Sequence, residues 1–286
     1  MTTDLQSTMQ PSPRPTSRPR LIVTADDFGL DEAVNAAVEQ GYRDGVLRAT
    51  SLMVAAPAAA DAVRRARRLP GLAVGLHLVL TDGPALLAAS RIPDLVDARG
   101  RFDAAMVRNS FRFLRRHVQR QLADEIRAQF KAFADTGLVL DHVNAHKHFY
   151  LHPVILSLVL AIGPGFGMRA LRLPNEPGMA PWLRPWVALM RWRMEQAGMR
   201  HNDHVFGIRL SGRMDEAALL GVLENLPSGV SEAYLHPATD DPPAIHVPGY
   251  RRTDELAALV SPRVRAAVAE RCVLCRGFGD PAVASA

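Results

Sequence analysis

The stretch LIVTADDFGL, residues 21–30, decides how the rest of the chain is read. Leu21, Ile22 and Val23 form a short apolar run of the kind that fills a buried strand. Two carboxylates, Asp26 and Asp27, close the run, and Gly29 turns the chain toward DEAVNAAVEQGYRDG (31–45). That segment has helical periodicity, Asp31 placed to cap it, and Gly41 or Gly45 placed to stop it. Neighbours in an extended segment point to opposite sides of the pleat, so the two aspartates can take different jobs in one site.

Further along, the same rhythm repeats. ATSLMVA (49–55) precedes the helix-like AAADAVRRARRL (58–69), and LAVGLHL (72–78) follows. After His77 the rhythm breaks between Thr81 and Val118, an insertion punctuated by Pro and Gly that is too long for a simple connection. It resumes with a helix over 119–136, a strand LVLDHV (138–143) and a helix over 153–162. Further strands are expected at RALRL (169–173), HVFGI (204–208), EAYLH (232–236) and CVLC (272–275). About eight strands alternating with helices predict an α/β fold, a (β/α) barrel or an irregular or incomplete form of one, with an insertion after the third strand. No internal repeat is evident.

Composition sets the outer limits. The 286 residues, 48% hydrophobic and 22% charged, suffice for one barrel-sized domain. The net charge is +5, and arginines cluster at 64–68 and 112–120. Solvated helix faces account for these clusters, with a membrane surface as the next reading; no aromatic-interleaved motif supports nucleic-acid binding. Cys272 and Cys275 form one CxxC, which cannot complete a tetrahedral zinc site and reads as two core cysteines in a cytoplasmic protein. Residues 1–19, rich in Pro, Ser, Thr and Gln, predict a disordered tail without the apolar centre of a signal peptide. The expected catalytic domain spans 20–278, with a flexible end over 279–286. No stretch approaches the ~18 apolar residues of a membrane span.

On this rhythm the chemically capable residues converge. Asp26 and Asp27 follow the first strand, His77 closes the third, and His146 and His148 follow LVLDHV. Arg172 closes RALRL, and His236 closes EAYLH. In a parallel barrel these carboxyl ends meet on the one face where active sites are built. One carboxylate and two imidazoles make a ligand set for a catalytic divalent cation, and a second carboxylate beside them can act as general base. Each residue also has a plainer reading. Paired aspartates are common in loops, a histidine in an apolar strand is often a hydrogen-bonded core residue, and Arg172 suits a structural ion pair as well as a substrate contact. HVNAHKHFYLH (142–152) is harder to dismiss, although its four histidines cannot all reach one ion.

LIVTADDFGL, VGLHLVL, LDHVNAHKHFYLHP, RLP and YLHPA, in this order and spacing, resemble the YdjC-like carbohydrate deacetylases over about residues 20–277. The resemblance implies Asp26 as general base, Asp27, His77 and His146 as ligands of one divalent metal ion, zinc or magnesium, and His236 as general acid. Arg172 and His148 are the candidate substrate contacts. The family's fourth segment usually carries Asp and His where this chain has Asn144 and Tyr150, which puts the support of the metal ligand, and hence metal identity and affinity, in question. Within the family the wording resembles the hopanoid biosynthesis-associated deacetylases, which implies an N-acetylglucosaminyl hopanoid as substrate. A soluble chitooligosaccharide, and a non-catalytic sugar- or lipid-binding role, are the alternatives.

A lipid-linked substrate draws attention to PWLRPWVALMRWRMEQAGM (181–199). On a helical wheel its Trp182, Trp186 and Met190 fall in one apolar arc opposite Arg184 and Arg191, the composition of an interfacial helix. These three are the candidate lipid contacts of a protein held peripherally at a membrane; an ordinary barrel helix is the alternative. A non-haem iron oxygenase fits this alternating rhythm poorly, and a glycosidase needs carboxylates across a cleft rather than adjacent in sequence. Oligomeric state is not readable from the sequence.

Overall fold

A computed structural model describes residues 18–240 and 249–284. The expected tail, apart from residues 18 and 19, lies outside the described residues. Seven parallel strands form the sheet: β1 (Arg20–Phe28), β2 (Ala49–Leu52), β3 (Ala73–Leu78), β4 (Leu140–Ala145), β5 (His204–Phe206), β6 (Val230–Leu235) and β7 (Val273–Leu274). Their order is β4-β3-β2-β1-β6-β5, and β7 pairs with the start of β1 at Arg20 and Leu21, before β2 begins to pair at Thr24. Around them run α1 (Glu32–Asp44), α2 (Ala59–Arg67), α3 (Met106–Arg112), α4 (Arg116–Asp135), α5 (Pro153–Ile162), α6 (Arg184–Gln196), α7 (Glu216–Glu224), α8 (Arg252–Val260), α9 (Pro262–Arg271) and α10 (Pro281–Ala284).

The expected strand at 169–173 is reduced to bridges. Val143 pairs with Leu171 and Ala170 with Arg200, and the Val205 amide donates to the Asn175 carbonyl at 3.0 Å. This segment therefore spans from β4 to the approach of β5 and curls the sheet into an irregular (β/α) barrel. Pro174 has no amide hydrogen to extend a ladder, which accounts for the brevity of the pairing.

Alternation along β1 sets the two sides of the wall. Leu21, Val23 and Ala25 join the main core beneath the helices, where Val34 and Val38 of α1 also lie. Ile22 belongs instead to a separate cluster with Ala49, Ala170, Val230, Cys275 and Phe278, and Thr24 Oγ1 donates to Glu232 Oε1 at 2.7 Å. Inward positions thus run from an apolar lower plug through a polar middle layer to Asp26 at the top.

Elsewhere the sequence reading is partly corrected. Asp31 caps α1 by accepting from the Val34 amide at 2.8 Å, as expected. The 81–118 insertion carries α3 and two antiparallel bridges, and Glu125 of α4 ties it down by accepting from the Leu86 and Leu87 amides. Over 279–284, α10 packs Val283 into the lower cluster, and Arg20 donates to the Ala282 carbonyl. Both cysteines are free and buried, and burial pushes each thiol up to about 11. Among the described residues no helix is long and apolar enough to cross a membrane.

The largest correction concerns α6. Met190 is fully buried and packs in the core with Val187 and Met194, so it is no lipid contact. Trp186 is half-buried and donates its indole N–H to the Leu151 carbonyl at 2.9 Å. Only Trp182, 79% exposed, keeps the expected outward position. The apolar arc was wider than the part of the helix that faces the barrel.

Candidate active site

At the upper ends of β1, β3 and β4, one carboxylate oxygen and two ring nitrogens draw together. Asp27 Oδ1 lies 3.5 Å from His77 Nε2 and 3.5 Å from His146 Nδ1, and the two nitrogens are 3.4 Å apart. Asp27 reaches this point only because the strand breaks its own alternation. Its φ is +66°, and the β1–β2 register shifts between Ala25 and Phe28. A regular pleat would have sent Asp27 to the helix side; the bulge returns it to the side of Asp26. A left-handed conformation in a non-glycine residue stores strain of about 1–3 kcal/mol, a feature that clusters at functional sites.

The donor set fits a divalent cation. Asp27 Oδ1 is buried and has no hydrogen-bond partner among the described residues, whereas Oδ2 accepts from Arg252 at 3.1 Å. An unpaired buried carboxylate oxygen is costly unless something positive meets it. Burial alone would raise the Asp27 pKa, but His146, His236 and Arg252 outweigh it and hold the carboxyl well below its usual range. Asn144 fixes the His77 tautomer: its Nδ2 donates to Asp26 Oδ1 at 2.9 Å, so its Oδ1 faces His77 Nδ1 at 2.8 Å and accepts a hydrogen bond from the Nδ1–H. Nε2 of His77 therefore presents a lone pair to the triangle. Edges of 3.4–3.5 Å suit ligands about 2.1 Å from a tetrahedral centre. The question raised by Asn144 is thus answered locally, since its amide serves Asp26 and His77 together.

Asp26 is 2% exposed and sits in a dense set of donors. Arg172 grips it twice, Nη1 to Oδ2 at 2.6 Å and Nη2 to Oδ1 at 2.9 Å, and Ser51 adds a bond to Oδ1 at 2.8 Å. Burial works to raise its pKa, yet the Arg172 guanidinium, helped by His77, holds it well below the carboxylate range. Arg172 also binds Glu232 through two bonds of 2.7 and 2.8 Å and stacks 4.4 Å from the centre of the Tyr234 ring. It is fully enclosed and does not line the cleft, so it is the buried ion-pair partner of Asp26 and not a substrate contact.

His148 does line the cleft, with Nε2 2.9 Å from the Tyr234 hydroxyl, and burial pushes its pKa down to about 3. His236 faces the same cleft; burial pushes it to about 4 against the pull of Asp27 and Asp26, and its Nδ1 has no partner among the described residues. Of the four crowded histidines only His146 joins the triangle. His142 is buried against Asp141 and fills the space above Gly75, where a Cβ would come within 2.6 Å of its ring, and His152 caps α5.

Sequence reasoning missed Ser51, Glu232, Tyr234, Tyr250 and Arg252. Glu232 and Tyr234 share the parity of His236 on β6, a signal that was available. Arg252 comes from the start of α8 with no motif to mark it; only the folded chain brings it to Asp27.

Comparison with known proteins follows this geometry. The profile of YdjC-like proteins matches residues 20–270. A carbohydrate deacetylase of Brevibacillus brevis is 30% identical over 253 residues, 86% of this chain and 93% of that protein. A chitooligosaccharide deacetylase of Serratia marcescens is 31% identical over 270 residues, covering 91% and 98%. Among solved structures, an Enterococcus faecalis protein named for cellobiose-phosphate cleavage superposes with a TM-score of 0.76 at 25% identity, over 90% of this chain and 97% of that one.

Proposed function

The chain belongs to the YdjC-like family, and on that premise we propose that it is a metal-dependent carbohydrate deacetylase whose substrate is an N-acetylglucosaminyl hopanoid. The reaction is hydrolysis of the acetamide to acetate and a free amine. The observation that carries the deacetylase reading is the triangle of Asp27, His77 and His146 with a second ionised carboxylate, Asp26 held by Arg172, beside it.

A divalent cation in that triangle would supply Lewis acidity, polarising the acetamide carbonyl and making a nearby water easier to deprotonate. Two imidazoles and one carboxylate suit zinc better than magnesium, which prefers oxygen throughout. Asp26 takes the water proton. Its Oδ1 is committed to Ser51, Asn144 and Arg172, whereas Oδ2 accepts, among the described residues, from Arg172 alone and keeps a lone pair for the proton. Because Arg172 makes Asp26 a weak base, the proton does not stay there. His236, neutral at rest, takes that proton up and as the imidazolium gives it to the departing sugar nitrogen. The Tyr234 hydroxyl, held by His148, meets a sugar hydroxyl.

The hopanoid reading rests on the likeness of the ADDFG, VNAHKHFYLHP and RLPNEP segments to hopanoid biosynthesis-associated deacetylases, and it places the protein at the cytoplasmic face of a membrane. A soluble chitooligosaccharide is the second reading, favoured by the near full-length match to the Serratia protein. Mass spectrometry of the chelated protein with N-acetylglucosaminyl hopanoid or chitobiose, with and without added zinc, tests both. Loss of one acetyl from the hopanoid, restored by zinc, is expected. Reaction of chitobiose alone would overturn the lipid substrate and keep the chemistry, and no reaction with either would overturn both.

A further inference from the structure

The stripe of α6 that turns away from the barrel is apolar where a solvated helix would be polar. Trp182 leads into it, and Leu189 and Trp192 continue along the same side, all exposed, with Leu183 beside them. A second exposed apolar group is Phe111, 71% exposed in the last turn of α3, with Leu114 in the link to α4. Both groups are braced on the chain over 149–152. Trp186 bonds the Leu151 carbonyl, His152 bonds the Ser110 carbonyl, and Phe113 packs on Phe149 and His152 with ring centres 5.3 and 5.6 Å away. The residues just before this brace, His146 to His148, line the catalytic cleft. Six of the ten exposed large hydrophobic side chains of the described residues therefore lie on elements braced on the chain that leads out of the cleft.

Positive charge predominates on this side, with Asp94 3.6 Å from His117 and Asp203 3.6 Å from Arg191 as carboxylates that reach it. The stretches 104–123 and 177–194 hold eight arginines and no carboxylate, more than the whole net charge of +5. Arg115, Arg116 and Arg184 are exposed and pair with no carboxylate among the described residues. A second copy of the chain is a poor occupant, because a two-fold contact would set these arginines against each other. An anionic bilayer meets both features: indole and phenyl rings enter the boundary between headgroups and acyl chains, and guanidinium groups meet lipid phosphates.

We propose that Phe111, Leu114, Trp182, Leu183, Leu189 and Trp192, with Arg115, Arg116 and Arg184, form a docking face for an anionic membrane surface, which presents a lipid-borne sugar to the adjacent cleft. The presentation rests on the lipid-substrate reading; the docking does not.

Full-length protein is sedimented with vesicles of phosphatidylcholine alone or with about 30% phosphatidylglycerol, at low and high salt. Binding to the anionic vesicles, weakened by salt, is expected, with at least a tenfold loss for Trp182→Ala/Phe111→Ala and for Arg115→Glu/Arg116→Glu/Arg184→Glu. Both variants should deacetylate a soluble N-acetylglucosamine substrate at the parent rate, while turnover of the hopanoid in vesicles falls at least tenfold. No binding to anionic vesicles, binding unchanged in both variants, or a dimer in solution that both variants dissolve would overturn the docking face. Salt-sensitive, variant-sensitive binding without turnover of the vesicle hopanoid would uphold the docking face and overturn the lipid substrate.

Discussion

At the lower end of the barrel the inward positions are Ile22, Ala49, Ala170 and Val230, closed off by Phe278. At the upper end, a few residues further along the strands, they are Asp26, Ser51, His77, Asn144 and Tyr234; hydrogen bonds join the first four, and Asp26, His77 and Tyr234 line a cleft. The strands do not change, only the chemistry of each inward layer. The lower layer excludes water and gives stability. The upper layer keeps charge poised at the mouth, and the middle layer, where Arg172 and Glu232 pair out of contact with solvent, has to serve both ends.

If that division holds, a change in the middle layer has the largest effect. Arg172→Met leaves Asp26 and Glu232 buried without their shared cation and should cost about 3–5 kcal/mol, the usual loss when one partner of a buried ion pair is removed. Chemical denaturation, with activity on any folded fraction, reads both consequences. Phe278→Ala sharpens the contrast from below. Emptying that plug should cost about 3–4 kcal/mol while leaving turnover per folded molecule unchanged; a matching fall in turnover would blur the two ends. Asn144→Ala frees His77 from its tautomer and should weaken metal binding by about 10–100-fold, measured by competition with a chelator.

A pH shift gives the smallest effect. His77, His148 and His236 are held neutral by burial, the latter two at about 3 and about 4, against about 6.5 in an unfolded chain. Below about 6.5 the unfolded state binds more protons, so stability falls as pH falls through that window. Glu255, raised by burial to about 7, is protonated in the folded state and opposes this trend. Three histidines against it should leave the chelated protein melting lower at pH 5 than at pH 7.5; a rise would mean that the carboxyl dominates.

The two ends also differ in how far they could be read from sequence. The upper layer was legible because its residues sit at strand ends in a parallel rhythm, and period-2 parity carries Asp26, His77 and His236 inward. The bulge at Asp27 was not legible, since strict alternation puts Asp26 and Asp27 on opposite faces; backbone geometry alone reunites them. Arg172 looked like a substrate contact because its position suits one, but only contacts reveal that two carboxylates enclose it. On α6 the wheel identified an apolar arc and could not say which part of it the barrel covers, so Met190 was assigned outward when it belongs to the core. The missing strand at 169–173 has its cause in Pro174, a signal that was present in the sequence.

The adjacent aspartates carry the central claim, one as base and one as ligand. The most direct test loads Asp26→Asn and Asp27→Asn with zinc, counts bound metal, and follows acetate release from an N-acetylglucosaminyl substrate. The account predicts that Asp26→Asn retains one metal ion while turnover falls by about 10²-fold or more, and that Asp27→Asn loses the metal. Normal turnover by the first variant, or a full complement of metal in the second, would contradict it.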